Sequence, residues 1–247
     1  LLFLRLAMAS HPPAAFRPHL PSVAPAIYAA VGERYYKVTS EALRACSELI
    51  TVICPTPGDA SFDYSPYVEP LYNCVLARLT AQDQDQEVKE CAIMCMGRLV
   101  AMLGGSLTAH MPACLPMLLD RLRNEITRLA AVKAFATISA AGGAVDLGEV
   151  MTPAVMELSS FLRKANRALR VASLHTLLTF VEHQAAIIPL EAVHCVVAEA
   201  APLVSDADLQ LASHVLKLCT AVLAAVPAAA PKVVEALLPL ALALAQS

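Results

Sequence analysis

A short motif recurs about every 40 residues and constrains the fold of this chain more than any other feature of the sequence. In each copy an apolar or small residue precedes an alanine by four positions, and a small or apolar residue follows the alanine by four. The copies are Val38/Ala42/Cys46, Val88/Ala92/Met96, Ile126/Ala130/Ala134, Ala168/Ala172/Thr176 and a less complete Asp208/Ala212/Leu216. The alanines are 50, 38, 42 and 40 residues apart, and the long interval contains an extra turn-rich loop at residues 55–63.

Each repeat has room for two helices, because a spacing of four places the motif on one helix face. First helices are predicted over 19–32, 67–80, 110–122, 151–162, 190–203 and 231–245. Second helices, which carry the motif, are predicted over 36–53, 86–103, 125–140, 167–182 and 209–226. Residues 1–10 are predicted to be the end of an amphipathic helix. Helix pairs with a period near 40 are typical of HEAT and armadillo repeats.

We therefore predict an all-α solenoid of about five antiparallel helix pairs, with a partial helix at each end and one domain over residues 1–247. Alanine at the motif lets neighbouring helices approach closely. Neither end has the polar composition of a capping repeat, so we expect the chain to be a piece of a longer solenoid.

Turn residues support these boundaries. Asp85, Asn124, Asn166 and Asp206 lie where the side-chain oxygen of a helix N-cap is needed. Gly104–Gly105 and Gly142–Gly143 follow two second helices, where the left-handed conformation favours glycine.

The composition is unusually apolar, with 57% hydrophobic and 16% charged residues. A membrane-spanning helix needs about 18–20 apolar residues. The longest apolar run, residues 218–231, is shorter and contains Pro227, and Glu235 interrupts the next run. We therefore predict no membrane partner and attribute the apolar residues to inner helices covered on most sides. A net charge of −3 predicts no nucleic-acid partner.

The sequence carries few patterns typical of catalysis. The eight cysteines form no CxxC motif and lie in apolar helical segments, which predicts reduced, packed thiols in an intracellular protein. His110 and Cys114 are four residues apart, but zinc needs three or four protein ligands. Glycine-rich phosphate-binding motifs do not occur. We predict neither an enzyme nor a cofactor.

Four charged turns precede the second helices and are the candidate binding sites. They contain Glu33 to Lys37; Asp83, Asp85, Glu87, Lys89 and Glu90; Arg121, Arg123, Glu125 and Arg128; and Arg163, Lys164, Arg167 and Arg170. In a solenoid, equivalent turns line up along one edge. The fourth turn has no acid among its four basic residues, which suits an acidic protein surface. The predicted protein-binding residues are Arg34, Tyr35, Tyr36, Lys37, Lys89, Arg128, Arg163, Lys164, Arg167 and Arg170. The alternative is a solvated edge, and the two tyrosines could also pack beneath their turn.

Five blocks in fixed order resemble the cullin-associated, neddylation-dissociated protein family. They are YYKVTSEAL (35–43), SFDYSPY (61–67), DQEVKECAIMCMGRLV (85–100), RLRNEITRLAAVK (121–133) and SFLRKANRAL (160–169). The resemblance extends over residues 15–179, fades after about residue 182, and points to the central part of that family's solenoid.

The resemblance implies a non-enzymatic scaffold. Such proteins wrap an unmodified cullin and its RING-box protein, block the acceptor lysine for the ubiquitin-like modifier, and compete with the adaptor and substrate-receptor module. A cytoplasmic and nuclear location is expected. The alternative is a HEAT-repeat scaffold of another kind, such as a nuclear-transport receptor, although its inner helices would be acidic, whereas the second helices here carry both signs.

Overall fold

The computed structural model describes residues 1–55, 62–82, 85–142 and 145–246. Over these residues it consists of α-helices, short 3₁₀ turns and connecting segments, without a strand, which confirms the all-α prediction. Residues 56–61 of the extra loop, Asp83 and Gly143 lie outside the described residues.

The chain divides into two compact units, of which the first is Leu1–Cys114. Its helices are α1 (Leu2–Ser10), α2 (Leu20–Val31), α3 (Tyr36–Ile53), α4 (Ser65–Thr80), α5 (Gln86–Leu103) and the start of α6 (Met111–Arg123). The second helices α3 and α5 pack against each other, α1 packs on α3, and the first helices α2 and α4 lie against them.

The second unit is Leu115–Ser247. It contains the rest of α6 and then α7 (Arg128–Ala140), α8 (Gly148–Phe161), α9 (Arg167–Gln184), α10 (Leu190–Ala200), α11 (Leu209–Ala225) and α12 (Ala230–Gln246). The second helices α7, α9 and α11 pack in sequence, and so do the first helices α8, α10 and α12. This unit is therefore built of two helical layers.

Helix α3 and helix α5 have the predicted bounds, but α7 begins three residues later than predicted. Residues 124–127 form a turn instead. The side-chain carbonyl of Asn124 accepts a hydrogen bond from the Ile126 N–H at 3.0 Å. The Thr127 hydroxyl donates to the Arg121 carbonyl at 2.9 Å. These local bonds compete with the first helical turn and delay the helix start.

Two of the four predicted N-caps are confirmed. Asp85 accepts from the Glu87 N–H and Asn166 from the Leu169 N–H. Asn124 is not a cap, because it closes the turn just described. Asp206 is not a cap either: it begins a 3₁₀ turn, and Asp208 caps α11 by accepting from the Leu211 N–H.

One of the two glycine predictions is confirmed. Gly142 has φ +68° and is left-handed, as predicted after α7. Gly104 follows α5 with φ −57° and continues into a 3₁₀ turn, so a left-handed glycine does not end that helix.

The repeat alanines lie between packed helices. Ala42 and Ala92 are fully buried and Ala212 nearly so, whereas Ala172 is half-buried. The caps Asn166 and Asp208 set the last interval at 42 residues rather than 40. The last motif is therefore two residues out of register, and the structural equivalent of Ala172 is His214.

Within the described part of the chain, one helix is long and apolar enough to span a membrane. Pro227–Gln246 has a mean hydropathy of 1.6 over its most apolar window, of which 17% is buried. The longest uninterrupted apolar run is residues 218–231, and Glu235 interrupts the next, but a window that includes the two charges Lys232 and Glu235 is long enough. Length and composition do not by themselves place this helix in a membrane.

Candidate functional site

Four predicted residues form one exposed turn at the start of α3, the basic–aromatic turn of residues 34–37. Tyr35 is 57% exposed and Tyr36 37%, so the tyrosines do not pack beneath the turn. Their rings meet edge-on with centroids 5.5 Å apart, and the Lys37 ammonium lies 5.8 Å from the centre of the Tyr36 ring. The Thr39 hydroxyl closes the turn by donating to the Glu33 carbonyl at 2.8 Å. The turn thus presents aromatic and cationic groups together.

Ion pairs connect successive helices of the first unit. Arg5 of α1 pairs with Glu41 of α3 at 2.7 Å, and Arg44 bridges Glu41 and Glu87 of α5. Lys89, a predicted binding residue, lies half-buried in the first turn of the same helix. Glu87 of this turn thus already has a partner within the fold.

The fourth turn, residues 163–170, is not a purely basic surface. Arg163 pairs with Glu199 of α10 at 3.1 Å. Arg167 makes a two-pronged contact with Asp208, at 2.6 and 3.1 Å, and donates to the Gln210 side chain. The next helix pair therefore supplies the acids that the turn itself lacks. The role of these arginines in protein binding stays a prediction.

Arg128 and Arg170 also make contacts within the fold. The Arg128 guanidinium lies 4.7 Å from the centre of the Phe161 ring and donates to the Arg123 carbonyl at 3.2 Å. Arg170 donates to the Lys164 carbonyl. Both side chains join neighbouring segments of the second unit.

Lys164 is the exposed cation of this region whose ammonium has no ion-pair partner among the described residues. It borders a cleft of about 270 Å³ that Glu125, Arg128 and Leu129 close on the other side, with Leu169 at its base. The structure thus brings Arg128 and Lys164, predicted from separate turns, to one cleft.

The Arg167–Asp208 contact gives a measurable pH prediction. The Arg167 hydrogen bond, followed by the bond from the Leu211 N–H, lowers the pKa of Asp208 to about 2. Because the folded pKa lies below the unfolded value, this contact stabilises the fold above the unfolded pKa and loses its effect as pH falls through about 2. In Arg167→Gln we expect the Asp208 pKa to rise towards, but not reach, 3.8, since the Leu211 bond remains. Carboxyl-carbon NMR titration measures this, with Lys232→Gln as control, and an unchanged pKa would contradict the assignment.

A wider groove on the second helices of the second unit was missed by sequence reasoning. It has a volume of about 650 Å³, with Lys133 and Thr137 of α7 on one side and His214 of α11 on the other. Arg167 and His175 of α9 lie between them. The signal was a recurring interval: Lys133 and His175, which both line the groove, are 42 residues apart, and Lys217 follows His175 by another 42. The caps Asn166 and Asp208 set the same interval between α9 and α11.

The residues considered for metal or thiol chemistry have other roles. The His110 ring nitrogen Nε2 lies 3.0 Å from a Glu69 carboxylate oxygen. Burial raises the pKa values of Cys95 and Cys114 to about 12, so these thiols are protonated at neutral pH and pack as small apolar groups. All eight cysteines are free. The described residues contain no group of three or more His, Cys, Asp or Glu side chains that could hold a metal ion.

Comparison with known proteins identifies the family. The family model described as CAND1-like, TPR repeats matches residues 1–96. The Arabidopsis thaliana protein named cullin-associated NEDD8-dissociated protein 1 is 48% identical over 219 residues, which cover 89% of this chain and 18% of that protein. The chain belongs to the cullin-associated NEDD8-dissociated protein family.

Animal members of this family also match most of this chain. Cullin-associated NEDD8-dissociated protein 2 of Rattus norvegicus is 41% identical over 228 residues, or 92% of this chain. Protein 1 of Drosophila melanogaster is 37% identical over 223 residues, or 89% of it. The chain spans 18% of the length of each of these relatives. The matches extend beyond residues 15–179, so the last third of the chain is more family-like than its alanine-rich sequence suggested.

Solved structures agree on the fold. A designed armadillo repeat protein superposes with a TM-score of 0.64 at 15% identity, covering 86% of this chain and 87% of that one. A second engineered protein superposes with a TM-score of 0.63 at 13% identity, covering 87% of both chains. The likeness concerns the fold alone and confirms the armadillo- and HEAT-type class of helical repeat for this family member.

Proposed function

We propose that this chain is a scaffold segment that binds a cullin and its RING-box protein before the ubiquitin-like modifier is attached. The 48% identity to a protein named for its association with cullins carries this proposal, and it favours a cullin partner over the cargo of a nuclear-transport receptor. On this proposal the segment acts without catalysis or cofactor, and acts in the cytoplasm and the nucleus. Membranes and nucleic acids are not its partners.

Regulation follows from competition between partners. A scaffold that binds only the unmodified cullin lowers the population of the modified form, because a ligand shifts an equilibrium by its differential affinity for the two states. Occupying the cullin also excludes the adaptor and substrate-receptor module, so release and rebinding would exchange receptors. Binding energy spread over many helix pairs suits this task, since each pair contributes a small contact.

A segment exchange tests the proposal in a protein of full length. The matching segment of the Arabidopsis relative is replaced by this chain, and the chimera is compared with the unaltered relative in pull-downs with a purified cullin–RING-box heterodimer. We expect the chimera to retain binding to the bare cullin and to lose it when the cullin carries the modifier. Loss of binding by a chimera with normal circular dichroism, or equal binding to both cullin forms, would contradict the proposal.

The exposed basic turns are the part of this surface most directly tested by substitution. In the chimera we expect Lys164→Glu to weaken cullin binding by about threefold to tenfold, because rim charges contribute roughly a kcal/mol to association. Lys232→Glu, the same change on α12 beside Glu235, is the matched control. Equal affinities of the two variants would remove Lys164 from the interface while leaving the segment exchange result standing.

A further inference from the structure

Lysines that neither the fold nor the cullin proposal uses lie in and beside the groove between α7, α9 and α11. Lys133 lines the groove, and Lys217 follows the lining residue His214 by about one helical turn on α11. Both lysines are exposed and have no ion-pair partner among the described residues. His175 is exposed between them, and the ring nitrogen Nδ1 of His214 lies 2.6 Å from the Gln210 carbonyl, which leaves Nε2 directed elsewhere. None of these four side chains carries a negative charge.

Acids are scarce around this groove. Helices α7 and α11 contain none, and α9 contains Glu182, which is two helical turns beyond His175. Asp208 at the edge of the groove is neutralised by Arg167. A ligand with negative charge therefore meets little repulsion along the groove.

Small apolar side chains, here called the floor, form part of the groove lining. Ala136, Ala168 and Ala172 line it together with Val171. Small side chains leave room for a polypeptide backbone to lie against the helices, while the longer cationic side chains rise beside it. On α11 the position equivalent to Ala172 is occupied by His214, so the row of alanines ends at that helix.

Basic side chains recur at the same sequence interval on consecutive helices. Lys133, His175 and Lys217 are separated by 42 residues each, and their helices pack side by side. Packed helices lie about 8–10 Å apart. An extended polyproline II segment advances about 3.1 Å per residue with three residues per turn, so every third side chain returns to the same side after roughly 9 Å. The two spacings match.

We infer that this groove binds an extended acidic polypeptide segment with a carboxylate at every third position. The carboxylates pair with Lys133, His175 and Lys217 in turn, and the intervening residues lie on the alanine floor. This inference concerns a second interaction surface and does not depend on the identity of the cullin-binding residues.

The test uses this chain and three fluorescent nine-residue peptides in anisotropy titrations at low and moderate salt. The first peptide repeats Glu-Pro-Ala three times. The second has the same composition with its glutamates adjacent, and the third replaces each glutamate by glutamine. We expect the first peptide to bind most tightly and to weaken as salt screens the charges. Equal binding of the first two peptides, or no binding of the first at low salt, would overturn the inference.

Substitutions distinguish peptide binding in the groove from attraction by the net charge of the chain. We expect Lys133→Glu combined with Lys217→Glu to weaken the first peptide about tenfold, since both charge pairs become repulsive. Lys232→Glu combined with Ser10→Glu and Gln246→Glu makes the same net charge change at residues outside the proposed binding surfaces and should weaken it by less than about twofold. Equal losses in both combined variants would overturn the inference, as would tighter binding of a single-stranded oligonucleotide of equal charge. Because no cullin is present, these outcomes and those of the segment exchange are independent.

Discussion

Phe135→Ala is expected to lower the free energy of unfolding by about 3–5 kcal/mol, the usual cost of removing a fully buried aromatic ring. Phe135 lies in the core of α7 with no solvent exposure. Its ring meets that of Phe180 in α9 edge-on, with centroids 6.3 Å apart and planes at 83°. The substitution therefore removes apolar burial and an aromatic contact that joins two consecutive repeats.

Urea unfolding followed by helical circular dichroism measures this effect. Phe3→Ala is the control, because Phe3 is 84% exposed and its removal should change the free energy by less than about 0.5 kcal/mol. Similar losses in the two variants would mean that α7 and α9 do not share a core.

Ala92→Leu is expected to destabilise the protein by about 1–3 kcal/mol, because it inserts three carbon atoms into a filled interior. Ala92 is fully buried on α5, which packs against α3 and α4. Leucine and alanine are both good helix formers, so the loss would come from packing between helices and not from the helix itself.

The motif copy on α9 supplies a matched control. Ala168 is the first residue of its motif copy and lies exposed on α9, so Ala168→Leu should change stability by less than about 0.5 kcal/mol. Thermal unfolding of both variants compares the two positions directly. If Ala92→Leu were as stable as Ala168→Leu, close helix approach would not explain the recurring alanines.

The ion pairs change which of the predicted residues are available to bind a partner. Arg163 and Arg167 seemed uncompensated in sequence, but Glu199 and Asp208 neutralise them. Of the ten predicted residues, the basic–aromatic turn and Lys164 keep the most exposed cations and rings. The groove at Lys133 is a further surface, which lies outside the list of predicted binding residues in the four charged turns.

The secondary structure was predicted well from the sequence where it depends on contacts between residues close together in the chain. The four-residue spacing predicted the bounds of α3 and α5, and Asp85 and Asn166 were correctly predicted to cap α5 and α9. Prediction was poorer where several polar side chains compete over one short turn. Asn124 and Asp206 could each have begun a helix, and the Thr127 bond to the Arg121 carbonyl and the 3₁₀ turn before Asp208 decided otherwise.

The tertiary structure alone decided which charges are free. The ion pairs between different helices of the described residues join residues from 34 positions apart, as Arg123 and Glu157 are, to 50 apart, as Glu48 and Arg98 are. Searching for opposite charges one repeat apart would have suggested some of them. Sequence by itself determined the period, the helices and the small residues between them, because these depend on neighbours along one helix. Charge pairing and the groove depend on how consecutive helices stack, and stacking brings together residues that no local pattern relates.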